Sequence, residues 1–254
     1  MLAEDRLSRI VDMVAERGSA TVPELASALG ISESTIRRDL EKLDQAHRLA
    51  KVHGGATCLE NAHVTRDLTL SERHGLHDAE KRAIVEYAAA LVGPDDFVYV
   101  DAGSTTELLV RCALDPRATY VTDAVTHALA LVERGCRVVV LGGELKGATE
   151  ALVGPDALDA LARYNFTIGF WGTNGATLEQ GLTTPDRFEA QVKRTSMRRT
   201  ARRYVLADPS KLGRVAPVKF ADFRDATIVT TDIGHAAVDS EAYRALNNLV
   251  EVSR

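Results

Sequence analysis

The chain has 254 residues, 45% of them apolar and 26% charged, which is enough for two globular domains rather than one small one. Its net charge of −5 leaves only locally placed charge to contact nucleic acid, and no apolar run approaches the ~18–20 residues of a membrane span. The opening MLAEDRLSRIVDMV is charged and helical rather than a signal peptide, and Cys58, Cys112 and Cys136 match no disulfide framework or metal spacing, so a cytoplasmic protein without metal or cofactor is expected.

Three helical patterns open the chain. In the first, Leu7, Ile10, Val11 and Val14 recur at helical spacing and Gly18 ends it. Thr21 caps the second, with Glu24 at capping-box spacing and Pro23 in the first turn. Leu25, Ala28 and Leu29 form its inner face, and Gly30 its end. Ser32 caps the third, whose core stripe is Ile36, Leu40 and Leu43. Two short strand-like pieces then flank His53-Gly54-Gly55, the signal of a tight hairpin. Three helices and a hairpin make a winged helix-turn-helix over residues 1–58.

With the apolar stripe inward, Thr35, Arg38 and Lys42 share another stripe of the third helix, flanked by Ser34 and Arg37. In a helix-turn-helix this helix enters the major groove N-terminus first. Arg grips guanine bidentately, Ser and Thr bond phosphate or base, and the helix N-terminus at Ser32 favours an anion. Lys51 and His53 on the wing extend toward the adjacent backbone. Residues 1–58 carry 8 Lys/Arg against 9 Asp/Glu, so placement rather than bulk charge points to double-stranded DNA. The competing reading of the helix is a solvated face on which Arg37 pairs with Glu41.

Residues 59–78 are polar and weakly periodic and read as a linker. A helix over about Ala79–Leu91 follows, and short apolar strands then alternate with helices to a last helix at Ser240–Asn248. The pattern predicts an open α/β domain over residues 79–254, with a parallel sheet covered on both faces. Ligands bind such sheets at the carboxyl ends of the strands, where the conspicuous loops fall. DAGSTT offers Asp101, Gly103, Ser104, Thr105 and Thr106 as an anion cradle or a plain tight turn. Thr122 and Asp123 either cap the next helix or touch ligand. Gly142 and Gly143 follow a strand, with Lys146 soon after, and GTNGAT places Asn174. Glu189 and Lys193 are i, i+4 on one helix, either as a surface salt bridge or as a lysine for phosphate and a carboxylate for a sugar hydroxyl. Lys211 sits in ADPSKLG after a strand. Jointly these loops point to a small, polar, anionic ligand. Trp171, the single Trp, is expected in the core.

These segments together resemble the DeoR family of bacterial transcription regulators. ISESTIRRDLEKL and RLAKVHGGA look like its DNA-binding signature; DAGSTT, LGGELKG, GLTTPDRFEAQVKR and ADPSKLG look like its sensor domain. The resemblance implies a sensor similar in fold to ribose-5-phosphate isomerase and glucosamine-6-phosphate deaminase. It implies a DNA-binding repressor of a sugar or polyol catabolic operon, controlled by a phosphorylated sugar and acting as a homodimer or homotetramer. Asp101, Gly103, Ser104, Thr105 and Thr106 would form the phosphate loop, with Lys193 and Lys211 as basic positions and Glu189 beside Lys193. The chain departs from the family at Asp123, where relatives often carry Asn. A carboxylate there would repel an anionic ligand unless it takes a hydroxyl hydrogen. The alternative is a sugar-phosphate isomerase or deaminase-like enzyme. Against it, Asn174 brings an amide that cannot readily exchange a proton.

Overall fold

The apolar periods of the first three helices close one small core. Ile10 and Val14 of α1 (Ala3–Arg17), Val22 and Leu25 of α2 (Val22–Leu29), and Ile36, Leu40 and Leu43 of α3 (Glu33–Gln45) pack with Leu49 and Ala56. The computed structural model describes residues 3–17, 19–45, 48–52, 54–57, 69–112, 114–234, 236 and 238–253. The expected helix stop at Gly18, the wing residue His53 and linker residues 59–68 lie outside them. The capping box of α2 forms as its spacing predicts: the Thr21 hydroxyl accepts from the Glu24 amide, and Glu24 accepts from the Thr21 amide at 2.8 Å. Gly30 ends α2 in the left-handed region at φ 66°.

A strand stands between the first two helices, where only a helix stop and a helix cap were expected. β1 (Ser19–Thr21) pairs antiparallel with β3 (Gly55–Thr57), which pairs with β2 (Ala50–Val52), so the wing is a three-stranded sheet in the order β1-β3-β2. Three residues between two helices carry no period of their own, and the partner strand creates this one. Gly55, expected in the turn, belongs to β3 opposite Thr21, and a Cβ there would lie 2.3 Å from the Ala20 carbonyl oxygen. Asp39 is buried in α3 and is gripped by Arg6 of α1 at 2.5 and 3.0 Å.

The end of the expected linker is structured. A helical turn at Leu70–Arg73 carries a Thr69–Glu72 capping box, Leu70 is buried, and the following helix runs Asp78–Ala89. Beyond it the chain forms β4 (Phe97–Val100), β5 (Thr119–Thr122), β6 (Arg137–Val140), the hairpin β7 (Glu144–Lys146) and β8 (Ala151–Val153), then β9 (Phe166–Gly172), β10 (Gly175–Thr177), β11 (Gly181–Thr184), β12 (Thr200–Leu206), β13 (Val218–Ala221), β14 (Thr227–Thr230) and β15 (Leu249–Glu251). Seven strands make one parallel sheet in the order β15-β14-β12-β9-β4-β5-β6. Its two faces bury separate apolar clusters, Tyr99, Val121 and Trp171 on one and Val98, Val100 and Phe170 on the other. Trp171 is core, as expected, stacked on Tyr99 and donating to the Ser196 hydroxyl at 3.0 Å. The small sheet β10-β11-β13, the β7–β8 hairpin and β15 were not foreseen, and the last helix is only Ser240–Arg244 because the chain turns into β15. Strand order reverses direction between β4 and β9, which opens a crevice at their carboxyl ends. Among the described residues no helix is long and apolar enough to cross a membrane.

Gly55→Ala is expected to destabilise the N-terminal unit by ~1–3 kcal/mol through backbone overlap with β1, leaving the α/β unit intact. Differential scanning calorimetry checks this: an unshifted N-terminal transition would refute the close approach.

Candidate functional site

The exposed face of α3 is polar because its opposite face is spent on the core. Ile36, Asp39, Leu40 and Leu43 turn inward; Ser34, Arg37, Arg38 and Lys42 are exposed, with Thr35 half-buried. Ser32 stands just before the helix, and its hydroxyl lies 3.1 Å from that of Ser34 and 3.0 Å from that of Thr35. The cations are not equivalent. Arg37 donates to Glu33 at 2.8 Å, not to the expected Glu41. Glu41 instead accepts from the Lys51 ammonium at 2.7 Å, and Asp44 accepts from the Lys51 amide at 2.9 Å, so α3 and the wing are tied together. Arg38 and Lys42, one turn apart, face outward. These surface pairs are weak and exchange readily.

The second site lies where the sheet splits. Asp101 follows β4 and is buried; its Oδ2 accepts from the Gly172 amide at the end of β9 and from the Lys193 ammonium of the helix Arg187–Arg198. Burial raises the Asp101 carboxyl to about 6, while Lys193 opposes the rise. Burial alone would lower Lys193, but Asp101 and Glu189 hold it above its usual value, so it keeps its proton. Asp123 is also buried. Its Oδ1 accepts from the Ala102 amide at 2.8 Å, and burial together with the Asp101 charge pushes its carboxyl well up. Two carboxyls share one lysine here, so Asp123 is the one held neutral.

Above this floor is a cleft with an empty volume of about 900 Å³, solvent at its mouth included. One wall is polar. Glu189 accepts from Lys146 at 2.8 Å and from the Thr149 hydroxyl at 2.5 Å, and Asn174 accepts from the Thr184 hydroxyl at 3.2 Å. The other wall is cationic. Arg73, Lys81, Lys211 and Arg214 line it together with the buried carboxylate of Asp208, which lies 3.7 Å from the Lys211 ammonium. Burial and then repulsion from Arg214, Arg73 and Lys81 hold Lys211 below its usual value, although Asp208 opposes this. Burial also lowers Lys81, whose ammonium donates to the Arg73 carbonyl at 2.9 Å and to the Ser104 hydroxyl at 3.3 Å. Burial would raise Asp208, but Lys211 and the Ser210 hydroxyl pull it down. The loop residues Gly103, Ser104 and Thr105 join the two walls.

The sequence expectations divide accordingly. Gly103, Ser104, Thr105, Asn174, Glu189, Lys193 and Lys211 line the cleft. Asp101 and Asp123 lie beneath it, and Asp123 does not cap the next helix, whose cap is Ala124 without a side-chain bond. Thr106 donates inward to the Gly103 carbonyl, and the Thr122 hydroxyl accepts from the Ala124 amide. Gly142 and Gly143 are exposed outside the cleft, where Gly143 (φ 124°) approaches the Val153 carbonyl too closely for a Cβ. Glu189 and Lys193 form no surface pair, since each has its own partner. Sequence reasoning missed Arg73, His77, Lys81, Asp208 and Arg214, all lining residues. One signal was present: Lys81 falls in register with Ile84, Val85 and Ala88 on the buried face of its helix. A lysine in a core register implies a specific partner.

Because Asp101 and Asp123 bind protons more tightly folded than unfolded, they remove stability as pH rises from about 4 through their folded values. Asp123→Asn keeps the acceptor for the Ala102 amide and deletes the charge. At about pH 8 the variant should be the more stable of the two, with a smaller loss between about pH 5 and pH 8. Urea unfolding at both pH values tests this, and an equal or steeper loss in the variant contradicts it.

Residues 76–233 match the DeoR C-terminal sensor domain, and residues 6–62 match the DeoR-like helix-turn-helix domain. The chain is 36% identical over 252 residues to the uncharacterized HTH-type transcriptional regulator FruR of Bacillus subtilis (strain 168), covering 99% of this chain and 100% of that one. It is 36% identical over 233 residues to the HTH-type transcriptional regulator GlpR of Haloferax volcanii, 91% of each chain. It is 30% identical over 252 residues to the lactose phosphotransferase system repressor of Staphylococcus epidermidis, 98% of each. Among solved structures, ribose-5-phosphate isomerase A of Methanocaldococcus jannaschii is 18% identical, with a TM-score of 0.37 over 52% of this chain and 53% of that one. With both domain models matched in order along its length, the chain belongs to the DeoR family of helix-turn-helix transcriptional regulators.

Proposed function

We propose that the protein is a cytoplasmic, non-enzymatic repressor of a sugar or polyol catabolic operon, released from double-stranded DNA when a phosphorylated sugar enters the cleft. Residues 1–58 bind DNA and residues 79–254 sense the effector. The observation that carries this reading is the cationic wall: burial holds both Lys211 and Lys81 below their usual values, Lys211 is repelled by Lys81 and the neighbouring arginines, and an anion relieves that repulsion. The phosphate therefore lies against Lys81, Lys211 and the Gly103–Thr105 loop. The sugar hydroxyls reach toward Asn174 and Glu189 on the opposite wall. Lys193, whose charge Asp101 matches, sets the floor rather than gripping phosphate. The name of one relative, the lactose phosphotransferase system repressor, accords with a sugar-linked effector.

On the DNA side, Ser32, Ser34, Thr35, Arg37, Arg38 and Lys42 face the major groove, and Lys51 and His53 the adjacent backbone. Arg73 and His77 come from the structured end of the expected linker 59–78, so the effector touches a segment that lies between the two domains in sequence. An effector that favours one arrangement of that segment by ~1–3 kcal/mol suffices for regulation.

Arg38→Ala should weaken operator binding by ~1–3 kcal/mol at fixed salt without altering effector response. Fluorescence anisotropy on DNA from upstream of its own operon measures this, and unchanged affinity would show that another face reads DNA. Lys211→Ala should bind the same DNA normally yet need roughly tenfold or more phosphorylated sugar for release. A wild-type response curve would remove Lys211 from the phosphate site.

A further inference from the structure

The two edges of the seven-stranded sheet are built differently. At the β15 edge, Arg244 bonds Glu251 at 2.6 Å and Asp232 at 3.0 Å, a charged cover of the kind that keeps sheet edges from pairing. Among the described residues the β6 edge carries no such ion-pair cover along the strand: its sequence is Arg137 followed by three valines, β5 is its one described partner, and Val140 is 44% exposed. The helix Val125–Glu133 that packs on β6 turns Leu129 and Val132 outward, 61% and 59% exposed and one turn apart. An unpaired strand flanked by exposed apolar side chains offers both hydrogen-bonding groups and apolar surface to a further strand.

We infer that the β6 edge pairs antiparallel with β6 of a second copy of this chain, joining two sheets across a two-fold axis. Self-pairing fits the strand. With Val139 on the axis, Val138 of one copy faces Val140 of the other, so each valine meets a valine. The charges fit as well. Arg137 begins the strand and the exposed Glu144 lies beyond its other end, so antiparallel pairing brings opposite charges together whereas parallel pairing brings like ends together. The two-fold places Leu129 and Val132 of both copies on the same face of the joined sheet, closing the apolar flank over the new strand pair.

The test uses the full chain at tens of micromolar. Sedimentation equilibrium should give a mass of at least two chains for wild type. Leu129→Glu with Val140→Lys should halve that mass or weaken association about tenfold or more while leaving the far-ultraviolet circular dichroism unchanged. Val139→Cys gives an independent readout, since residues facing across the axis lie within disulfide reach; mild oxidation should yield a covalent dimer that wild type, with its own cysteines, does not form. A monomeric wild type, a double variant of undiminished mass, or no covalent dimer from Val139→Cys would each overturn this interface.

Discussion

The buried pair of Asp101 and Lys193 is the constraint around which the sensor domain is arranged. It stands where the strand order reverses, and it joins three elements: the loop after β4, the end of β9 through the Gly172 amide, and the helix Arg187–Arg198. Desolvating both charges is expensive, and removing either partner would strand the other in the interior. The pair therefore fixes the posture of the loop that carries Gly103 and Ser104 more firmly than an apolar contact would. Asp123 tightens the same loop from below by taking the Ala102 amide. It does so as a neutral acid, because one lysine cannot balance two buried carboxylates.

This internal balance has a consequence for the cleft. Lys193 is the basic residue that stands out in the helix motif, yet its charge is consumed below the floor. Attraction for an anion passes to residues drawn from distant parts of the chain: Arg73 and Lys81 before the first strand of the sheet, Lys211 and Arg214 after β12. In a chain of net charge −5, Arg73, Lys81, Lys211 and Arg214 stand beside Asp208 and Glu189 and set the field of this cleft. Low-dielectric walls sharpen that field well beyond what the same charges would produce on an open surface.

Legibility in the sequence followed the range of the forces involved. Local devices were readable: the Thr21–Glu24 capping box, Gly30 past the end of α2, and the alternation of apolar strands with helices. Each depends on residues within one turn or one strand. β1 was not readable, because three residues become a strand only when β3 lies beside them. The same holds for Arg37 and Glu41, an ideal i, i+4 pair by spacing. The wing brings Lys51 to Glu41, and Arg37 turns to Glu33, so a tertiary contact overrides a local one. The cleft was half legible for a similar reason. Loops after strands announce themselves through Gly and Thr, whereas Arg73 looked like linker and Lys81 was signalled only by its register with Ile84, Val85 and Ala88.

The position of Arg73 bears on how an occupied cleft could be felt elsewhere. The turn Leu70–Arg73 is far too short to be stable as an isolated helix. It is held by burial of Leu70, by the Leu70 amide on the Ala148 carbonyl at 3.1 Å, by Lys81 on the Arg73 carbonyl, and by His74 against Glu107 at 2.8 Å. Two of the groups in that small set, Arg73 and Lys81, also face the cleft and repel Lys211. Charge arriving in the cleft changes the energy of the turn directly, without a relay through the sheet. A packed β-sheet core moves little, whereas a short turn held by a handful of bonds opens at lower free energy than the core. In sequence the turn lies between the helix-turn-helix domain and the sensor domain, and in space it lines the cleft through Leu70 and Arg73, so a charge in the cleft acts first on a short segment and not on the sheet.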